Sequence, residues 1–271
     1  MTLLRLIGAF LRRNAFIETS YRMQFVMTLC GILSSIATFY FVSHLIDQRG
    51  TLTHTTAYGG HYFAFVLVGM ACAQYSSVAM YGLASQLRQE QVQGTLEAML
   101  VHPVRPLQLA LGLPAWDFCW ATVNLMLYLL IGMGVFHCDL SRANWLGALL
   151  VMGASLLVFA ALGLLSAAFV LVFKRGNPIQ WAISTAFVLL GGVYFPVDLL
   201  PAPLGITAQG LPITHVLHGL RRALLEGAAL STLWPSLGLI LLFGVALLPL
   251  GLWAMTQALR QARRRGGIGA Y

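Results

Sequence analysis

Residue types that do chemistry are few in this chain, and the familiar spacings of catalytic and nucleotide-binding motifs do not occur among them. A phosphate-binding loop needs Gly-Lys-Ser/Thr after a glycine-rich turn, but the single lysine, Lys174, stands between Phe173 and Arg175. The sequence contains no Gly-x-Ser-x-Gly nucleophile turn, no His-Glu-x-x-His and no Cys-x-x-Cys. It therefore predicts no catalytic residue and no cofactor bound by the chain itself.

Asp117 is the one acidic residue within the apolar stretches of the sequence. A carboxylate inside a membrane is usually functional, which predicts a contact for a cationic substrate or a proton relay. If a helix instead starts at Pro114, Asp117 lies in its first turn, where a negative charge suits the helix dipole. The other polar candidates either line a substrate path or bridge helices. They are Ser34, Thr38, Gln74 and Asn124.

Two histidines, His215 and His218, are spaced as one helical turn and could hold a metal ion. A third ligand is not evident nearby, and an interfacial histidine pair is the commoner arrangement. The sequence therefore predicts no metal site here.

Residues 88–103 carry the most specific pattern. Four apolar residues fall on one stripe of a short helix: Val92, Leu96, Met99 and Leu100. Glu90 and Glu97 project from other faces, and Pro103 ends the helix because the residue before a proline leaves the α region. Such a helix suits docking a partner protein at the membrane surface, or resting on lipid headgroups.

The composition indicates that these residues are positioned by membrane helices. The chain has 271 residues, of which 59% are apolar and only 9% charged, against about 25% charged in soluble domains. Six stretches approach or exceed the roughly 20 residues that a spanning helix needs. They are 23–46, 62–84, 107–136, 145–173, 178–196 and 236–258. We therefore expect an all-α membrane protein with six transmembrane helices.

Basic residues predict its orientation. Of the 16 arginines and lysines, 12 fall in the two tails and in the second and fourth loops, and four fall on the other side. The positive-inside rule then places both termini in the cytoplasm of a multi-pass protein. The net charge of +8 reflects topology and lipid contact, and predicts no nucleic-acid partner.

Residues 1–22 read as an amphipathic helix lying in the membrane surface, because Leu3, Ile7 and Phe10 fall opposite Arg5 and Arg12 on a helical wheel. A signal peptide is the weaker alternative, since the following apolar run is too long and lacks a small-x-small cleavage site.

The loop 197–235 is too apolar for an aqueous coil, and Pro201, Pro203 and Pro212 divide it into two short helices. Irregular backbone at membrane depth survives only where protein or a water-filled cavity satisfies it. We expect an external re-entrant helical hairpin that helps to close the outer mouth of a pathway.

The whole pattern resembles the membrane subunits of type-2 ABC (ATP-binding cassette) exporters. The segment 88–103 is similar to that family's signature of glutamates, Gly-Thr, leucine and proline. The matching residues are Glu90, Gly94, Thr95, Leu96, Glu97, Leu100 and Pro103. The end of the fifth stretch and its sequel resemble the family's external region. The residues there are Phe195, Pro196, Pro201, Pro212, His215 and Arg221.

The resemblance implies a permease subunit of the bacterial cytoplasmic (inner) membrane that pairs with a second permease, as a homodimer. Two copies of a separate ATPase would bind ATP and Mg²⁺ and receive residues 88–103 as a coupling helix. Family members export drugs, lipid-linked polysaccharides, glycolipids and signalling oligosaccharides, so an amphiphilic, lipid-linked, glycan or drug-like cargo is expected. An ion-coupled six-helix secondary transporter and a membrane-embedded enzyme are the alternatives, although the sequence shows no internal repeat and no pair of intramembrane carboxylates.

Overall fold

The structure is a computed structural model that describes residues 8, 11–13, 22–47, 62–92, 115–173 and 178–264. All regular secondary structure in these ranges is helical. The helices are α1 (Arg22–Asp47), α2 (Tyr62–Val92), α3 (Ala115–Gly134), α4 (Trp145–Phe173), α5 (Pro178–Leu190), α6 (Ala202–Gln209), α7 (Pro212–Leu224) and α8 (Leu230–Arg264). The 3-10 turn Val197–Leu199 precedes α6.

Five of these helices, α1 to α4 and α8, are long and apolar enough to cross a membrane. The sixth candidate, α5, has 13 residues and is roughly 20 Å long, which is short of the ~30 Å hydrocarbon core. The predicted fifth span, 178–196, is thus helical only to Leu190. It stops there because Gly191 and Gly192 follow, and Gly192 adopts a positive φ of 81° that turns the chain.

Helix boundaries differ from the apolar stretches where polar residues find partners. The second helix continues eight residues past Ala84, to Val92, because Gln86 and Glu90 both contact distant parts of the chain. The last helix is longer than 236–258 at both ends and contains two prolines. The third begins at Ala115, and residues 107–114 lie outside the described part of the chain.

Small residues allow close packing of the long helices. The antiparallel pair α2 and α3 meets where Gly132 faces Leu67 near one end and Gly82 faces Asp117 near the other. Helix α4 runs parallel to α2, with Gly163 against the Ala79 carbonyl. Helix α8 in turn runs parallel to α4. Close approach of backbones through glycine is the usual packing device between membrane helices.

The bundle has two ends, which we name for what they carry. The hairpin end carries the 134–145 connection and residues 190–230, including α6 and α7. The tail end carries Arg13, the last turns of α2 and the start of α3. A large apolar core of α1 to α4, α7 and α8 fills the bundle, and a smaller cluster of α2, α4 and α8 side chains around Leu87 lies towards the tail end.

The prolines of the 197–235 loop divide it as the sequence predicts. Pro201 precedes α6, and Pro212 is the first residue of α7, where its missing N–H costs least. Helix α7 buries one whole face against α2, α4 and α8, whereas α6 remains mostly exposed. Helix α7 therefore packs against three long helices, and re-entry of the hairpin into the membrane stays a prediction.

Candidate functional site

The hairpin end is organised around Arg221 of α7, which is 4% exposed. Its guanidinium donates hydrogen bonds to the Phe65 carbonyl of α2, at 3.3 Å from Nε and 3.1 Å from Nη2. Nη2 also donates to the Val193 carbonyl in the turn after α5, at 3.0 Å. The guanidinium carbon lies 3.3 Å from the centroid of the Phe65 ring, a cation–π contact. One side chain therefore joins three elements.

Glycines make room for this arrangement. A Cβ on Gly69 would collide with the Val193 carbonyl oxygen and lie 2.8 Å from Arg221 Nη2. Gly191 similarly lets the end of α5 pack against Ile213 of α7. Gly191 and Gly192 both follow α5 instead of lying within it, and Gly192 faces Phe195 and Val197 of its own turn.

An aromatic cluster covers the same end of the bundle. Tyr194 stacks on Phe39 of α1 with centroids 4.8 Å apart, and the Tyr62 hydroxyl donates to the Tyr194 carbonyl at 3.0 Å. Tyr40 contacts both Phe63 and Phe136. Sequence reasoning missed these residues. The available signal was that aromatic side chains concentrate at the ends of membrane helices, which is where these rings lie.

The predicted gate residues all lie at the hairpin end. Phe195 is half-buried, Pro196 is buried before the 3-10 turn, Pro201 is exposed before α6, and Pro212 is buried at the start of α7. His215 Nε2 lies 2.8 Å from the Gln209 carbonyl oxygen, which ties α7 to α6. These residues line one region without converging on a single point, and their role in gating stays a prediction.

The two histidines of α7 have separate partners. The His215 ring stacks on Phe243 of α8, while His218 Nδ1 lies 3.2 Å from the Ser236 hydroxyl. Partial burial, assisted by the positive charge of Arg222, lowers the pKa of His218 below its usual value. Among the described residues, no group of three or more His, Cys, Asp or Glu side chains is placed to hold a metal.

The connection between α3 and α4 is fastened to the return of the hairpin. Asn144 caps α4 by accepting the Gly147 N–H at 2.9 Å. It also donates from its side chain to the Ala228 carbonyl and from its backbone to the Ala223 carbonyl. Gly227, with a positive φ of 65°, packs against the Arg142 carbonyl and permits this approach.

At the tail end, Asp117 lies in the first turn of α3, as the structural interpretation of this residue predicts. Its carboxylate accepts a 2.6 Å hydrogen bond from Gln86 Nε2 of α2 and packs against Gly82. Nearby, Gln86 Oε1 and Trp116 Nε1 are buried and make no hydrogen bond to any of the described residues. Asp117 thus ties two helices together, and a contact with substrate stays a prediction.

A docking role for Glu90 would require an exposed carboxylate, but the Glu90 side chain is buried. It belongs to the last turn of α2 and is 5% exposed. Its Oε1 accepts a hydrogen bond from Arg13 Nη1 at 3.1 Å, an ion pair with the N-terminal segment. The other coupling residues, Gly94, Thr95, Leu96, Glu97, Leu100 and Pro103, lie outside the described residues. Of the predicted surface helix 1–22, residues 8, 11–13 and 22 are described and helical, the last as the first residue of α1.

The remaining polar candidates do not form one path. Ser34, Thr38 and Gln74 are exposed on the outside of the single chain, and Thr38 donates to the Ser34 carbonyl of its own helix. Asn124 is 3% exposed, and its Oδ1 is buried without a hydrogen bond to another residue that the structure describes. The structure therefore separates these residues into a surface group and a buried one.

Comparison with known proteins identifies the family. Residues 51–253 match the family model described as ABC-2 family transporter protein, which is more than half of the chain. The chain belongs to the ABC-2 family of transporters. This ABC-2 permease is similar to Nodulation protein J of Rhizobium leguminosarum bv. trifolii, with 29% identity over 171 residues, 62% of this chain and 63% of that protein. Nodulation protein J of R. leguminosarum bv. viciae is 28% identical over 171 residues, 62% of this chain and 64% of its own.

The matched region spans less than two thirds of either relative. The family resemblance drawn from residues 88–103 and 191–221 is confirmed, and the described helices make the chain a multi-pass membrane protein of this transporter family.

Proposed function

We propose that this ABC-2 permease acts as a homodimer in the bacterial cytoplasmic membrane and binds two copies of a separate ATPase. Both termini and the tail end face the cytoplasm, and the hairpin end faces outward. ATP and Mg²⁺ are held by the ATPase, and this chain binds no cofactor and no nucleic acid. The observation that carries the proposal is the family match over 51–253, which includes all of segment 88–103.

Helix α2 is the element that fits the transmission of force. It is unbroken from Tyr62 to Val92, about 46 Å at 1.5 Å per residue. Its tail end continues into residues 93–103, and its other end carries the Phe65 carbonyl and Gly69. A displacement of the coupling segment by the ATPase therefore reaches the hairpin end through one rigid body.

The position of Glu90 indicates that the two glutamates of the coupling segment have different roles. Its carboxylate already receives Arg13 and is almost fully buried, so docking to the ATPase falls to Glu97. Glu90 instead ties the N-terminal segment to α2. A force on the coupling segment would then move both together.

The exposed surfaces of the hairpin indicate the class of cargo, since the name of the relatives refers to nodulation and to no cargo. The hairpin exposes Leu199, Leu204 and Ile206, the last at 73% of its surface. Exposed apolar side chains beside an entry or exit suit an amphiphilic molecule whose tail stays in lipid. We propose a lipid-linked, glycan or drug-like amphiphile, moved out of the cytoplasm or the inner leaflet.

Two substitutions in the coupling segment test the function. Glu97→Lys replaces a hydrogen-bond acceptor by a positive charge, which repels basic groups of the ATPase. Gly94→Leu adds a side chain that obstructs close approach of the ATPase to the backbone. A charged hydrogen bond contributes about 1.5–3 kcal/mol, so we expect roughly 10- to 100-fold weaker binding of the co-expressed ATPase. Co-purification and ATP hydrolysis in proteoliposomes measure the effect.

The matched control is Glu226→Lys, the same charge change on an exposed residue of the hairpin end. It should insert, co-purify with the ATPase and hydrolyse ATP as the unmodified chain does. If Glu97→Lys and Gly94→Leu also behave normally, segment 88–103 does not dock the ATPase and the proposed coupling fails.

A further inference from the structure

Two adjacent arginines of α7 have opposite surroundings. Arg222 is partly exposed and pairs with Glu226 one turn later, at 3.4 Å. Arg221 points into the bundle, where its charge is removed from solvent and met by main-chain carbonyls and an aromatic ring. Burying a guanidinium costs several kcal/mol unless its donors are well placed. A helix end that faced solvent would gain nothing from a buried guanidinium. The burial of Arg221 therefore indicates a specific role.

The carbonyls that receive Arg221 belong to parts of the chain far apart in sequence. Phe65 lies 156 residues away and Val193 lies 28 residues away. The planar guanidinium presents several donors in a fixed fork, so one side chain reaches both carbonyls together. Withdrawal of that side chain would break all of these hydrogen bonds at once, which is the behaviour of a two-state contact.

Helix α2 presents a prepared surface to this side chain. Phe65, Gly69 and Cys72 are spaced i, i+4 and i+7 and so share one helix face. Phe65 supplies the carbonyl and the ring, and Gly69 leaves the space that the Val193 carbonyl and Arg221 occupy. Cys72, one turn further along, is fully buried.

We propose that Arg221 is a latch that holds the hairpin end closed by joining α7 and the turn after α5 to α2, and that it releases when that end opens. The release step of this inference rests on the proposed transport function, since α2 connects the coupling segment to the latch. The contacts of Arg221 themselves are present in the single chain, without the ATPase. Arg221 acts here as a positioning residue, because it places three elements and touches no cargo.

The buried thiol of Cys72 reports on the latch without any need for transport. In a full-length chain with Cys30, Cys119 and Cys138 changed to serine, Cys72 is the remaining thiol. The chain is placed in lipid nanodiscs and its rate of reaction with a small methanethiosulfonate reagent is measured. We expect slow labelling of the chain with Arg221 in place, and about tenfold faster labelling of Arg221→Met. A tenfold change corresponds to an opening free energy that is lower by ~1.4 kcal/mol.

Matched controls separate the latch from general loosening. Gly69→Ala should accelerate labelling as Arg221→Met does, whereas Gly153→Ala, where a Cβ meets nothing within 4 Å, should leave the rate unchanged. Arg222→Met removes the neighbouring charge and should also leave it unchanged. The double variant Gly69→Ala/Arg221→Met should label little faster than either alone, because both break one contact.

Each result decides the inference. Equal labelling rates for Arg221→Met and Arg222→Met would overturn the latch. If Arg221→Met fails to accumulate, Arg221→Lys replaces it under the same criterion, since lysine keeps the charge but lacks the fork. A separate measurement adds the ATPase with ATP: faster labelling of the unmodified chain supports coupling to the latch. If labelling stays slow there while Arg221→Met alone is fast, the latch stands and the proposed coupling fails.

Discussion

The two ends of this ABC-2 permease are held by different chemistry. At the hairpin end, aromatic rings pack together and one buried arginine is received by neutral carbonyls of α2 and the α5 turn. At the tail end, side chains that carry opposite charge or an amide meet across elements, in the pairs Arg13–Glu90 and Gln86–Asp117. Aromatic packing and the buried arginine are the main contacts at the hairpin end, beside the hydrogen bonds of His218 and Asn144, whereas polar side-chain pairs join the tail end.

The difference indicates how motion can be divided between the ends. Close packing is bistable and resists small displacements, so the hairpin end should stay shut until its contacts release together. Partly exposed polar pairs weaken gradually with salt or solvent and tolerate adjustment. The tail end therefore suits the place where a partner binds and moves, and the hairpin end suits a gate.

The largest expected effect compares the same substitution at both ends of the α2–α3 interface. A Cβ on Gly82 would lie 2.7 Å from the Asp117 Cβ and 2.6 Å from its Cγ, so Gly82→Ala should force the helices apart and break the Gln86–Asp117 bond. Overpacking of this kind costs about 1–3 kcal/mol. Thermal unfolding of the purified chain in detergent micelles measures it.

Gly132→Ala is the counterpart at the hairpin end, and it meets a Leu67 methyl group, the far end of a flexible side chain. We expect a smaller loss, while Gly153→Ala should be neutral or slightly stabilising because alanine favours the helix. Equal destabilisation by Gly82→Ala and Gly132→Ala would mean that the polar pair adds nothing to the packing of the tail end.

Much of the bundle could be predicted from hydropathy. The fourth helix, Trp145–Phe173, has the predicted bounds because polar Asn144 and basic Lys174 flank an uninterrupted apolar run. Hydropathy ended the second helix too early, since Gln86 and Glu90 remain helical through partners 31 and 77 residues away. Such pairs depend on the fold and leave no local signal.

The site was predictable only in part. The resemblance pointed to Arg221, but its acceptors are main-chain carbonyls, which every residue has, and so no residue type marks them. The fifth span was drawn to Pro196 because the residues after Leu190 are apolar, although the paired glycines turn the chain there. The aromatic cluster at the hairpin end could not be predicted from the sequence, because its rings come together only when α1, α2 and α3 pack.

A smaller effect is expected from the ion pair of the tail end. Arg13→Ala removes a partner of the buried Glu90 carboxylate, but the Arg13 side chain is 42% exposed, so screening limits the loss to about 1 kcal/mol. High salt should lower the unfolding temperature of the unmodified chain more than that of Arg13→Ala. Arg222→Ala at the hairpin end removes one partner of the Arg222–Glu226 ion pair and gives the corresponding salt response there. If high salt lowered the unfolding temperatures of the unmodified chain and of Arg13→Ala equally, the Arg13–Glu90 pair would not help to hold the tail end together.

The smallest expected effect is a pH dependence at the hairpin end, carried by His218. Its ring faces Ser236, and burial together with the nearby charge of Arg222 lowers its pKa in the folded chain, while Glu226 acts in the opposite direction and His215 and Arg221 add to the lowering. Because the unfolded chain binds the proton more readily, stability is full above the ordinary histidine pKa of about 6.5 and falls as the pH drops through the lower folded value. His218 is nevertheless exposed to solvent, and screening should keep the loss small, at ~0.5 kcal/mol. Unfolding temperatures of the unmodified chain and of His218→Gln, measured between pH 7.5 and pH 5.5, should therefore diverge slightly, with the unmodified chain losing more. Parallel curves would show that the histidine titrates as it does in water, and that the packed hairpin end admits more solvent around α7 than its contacts imply.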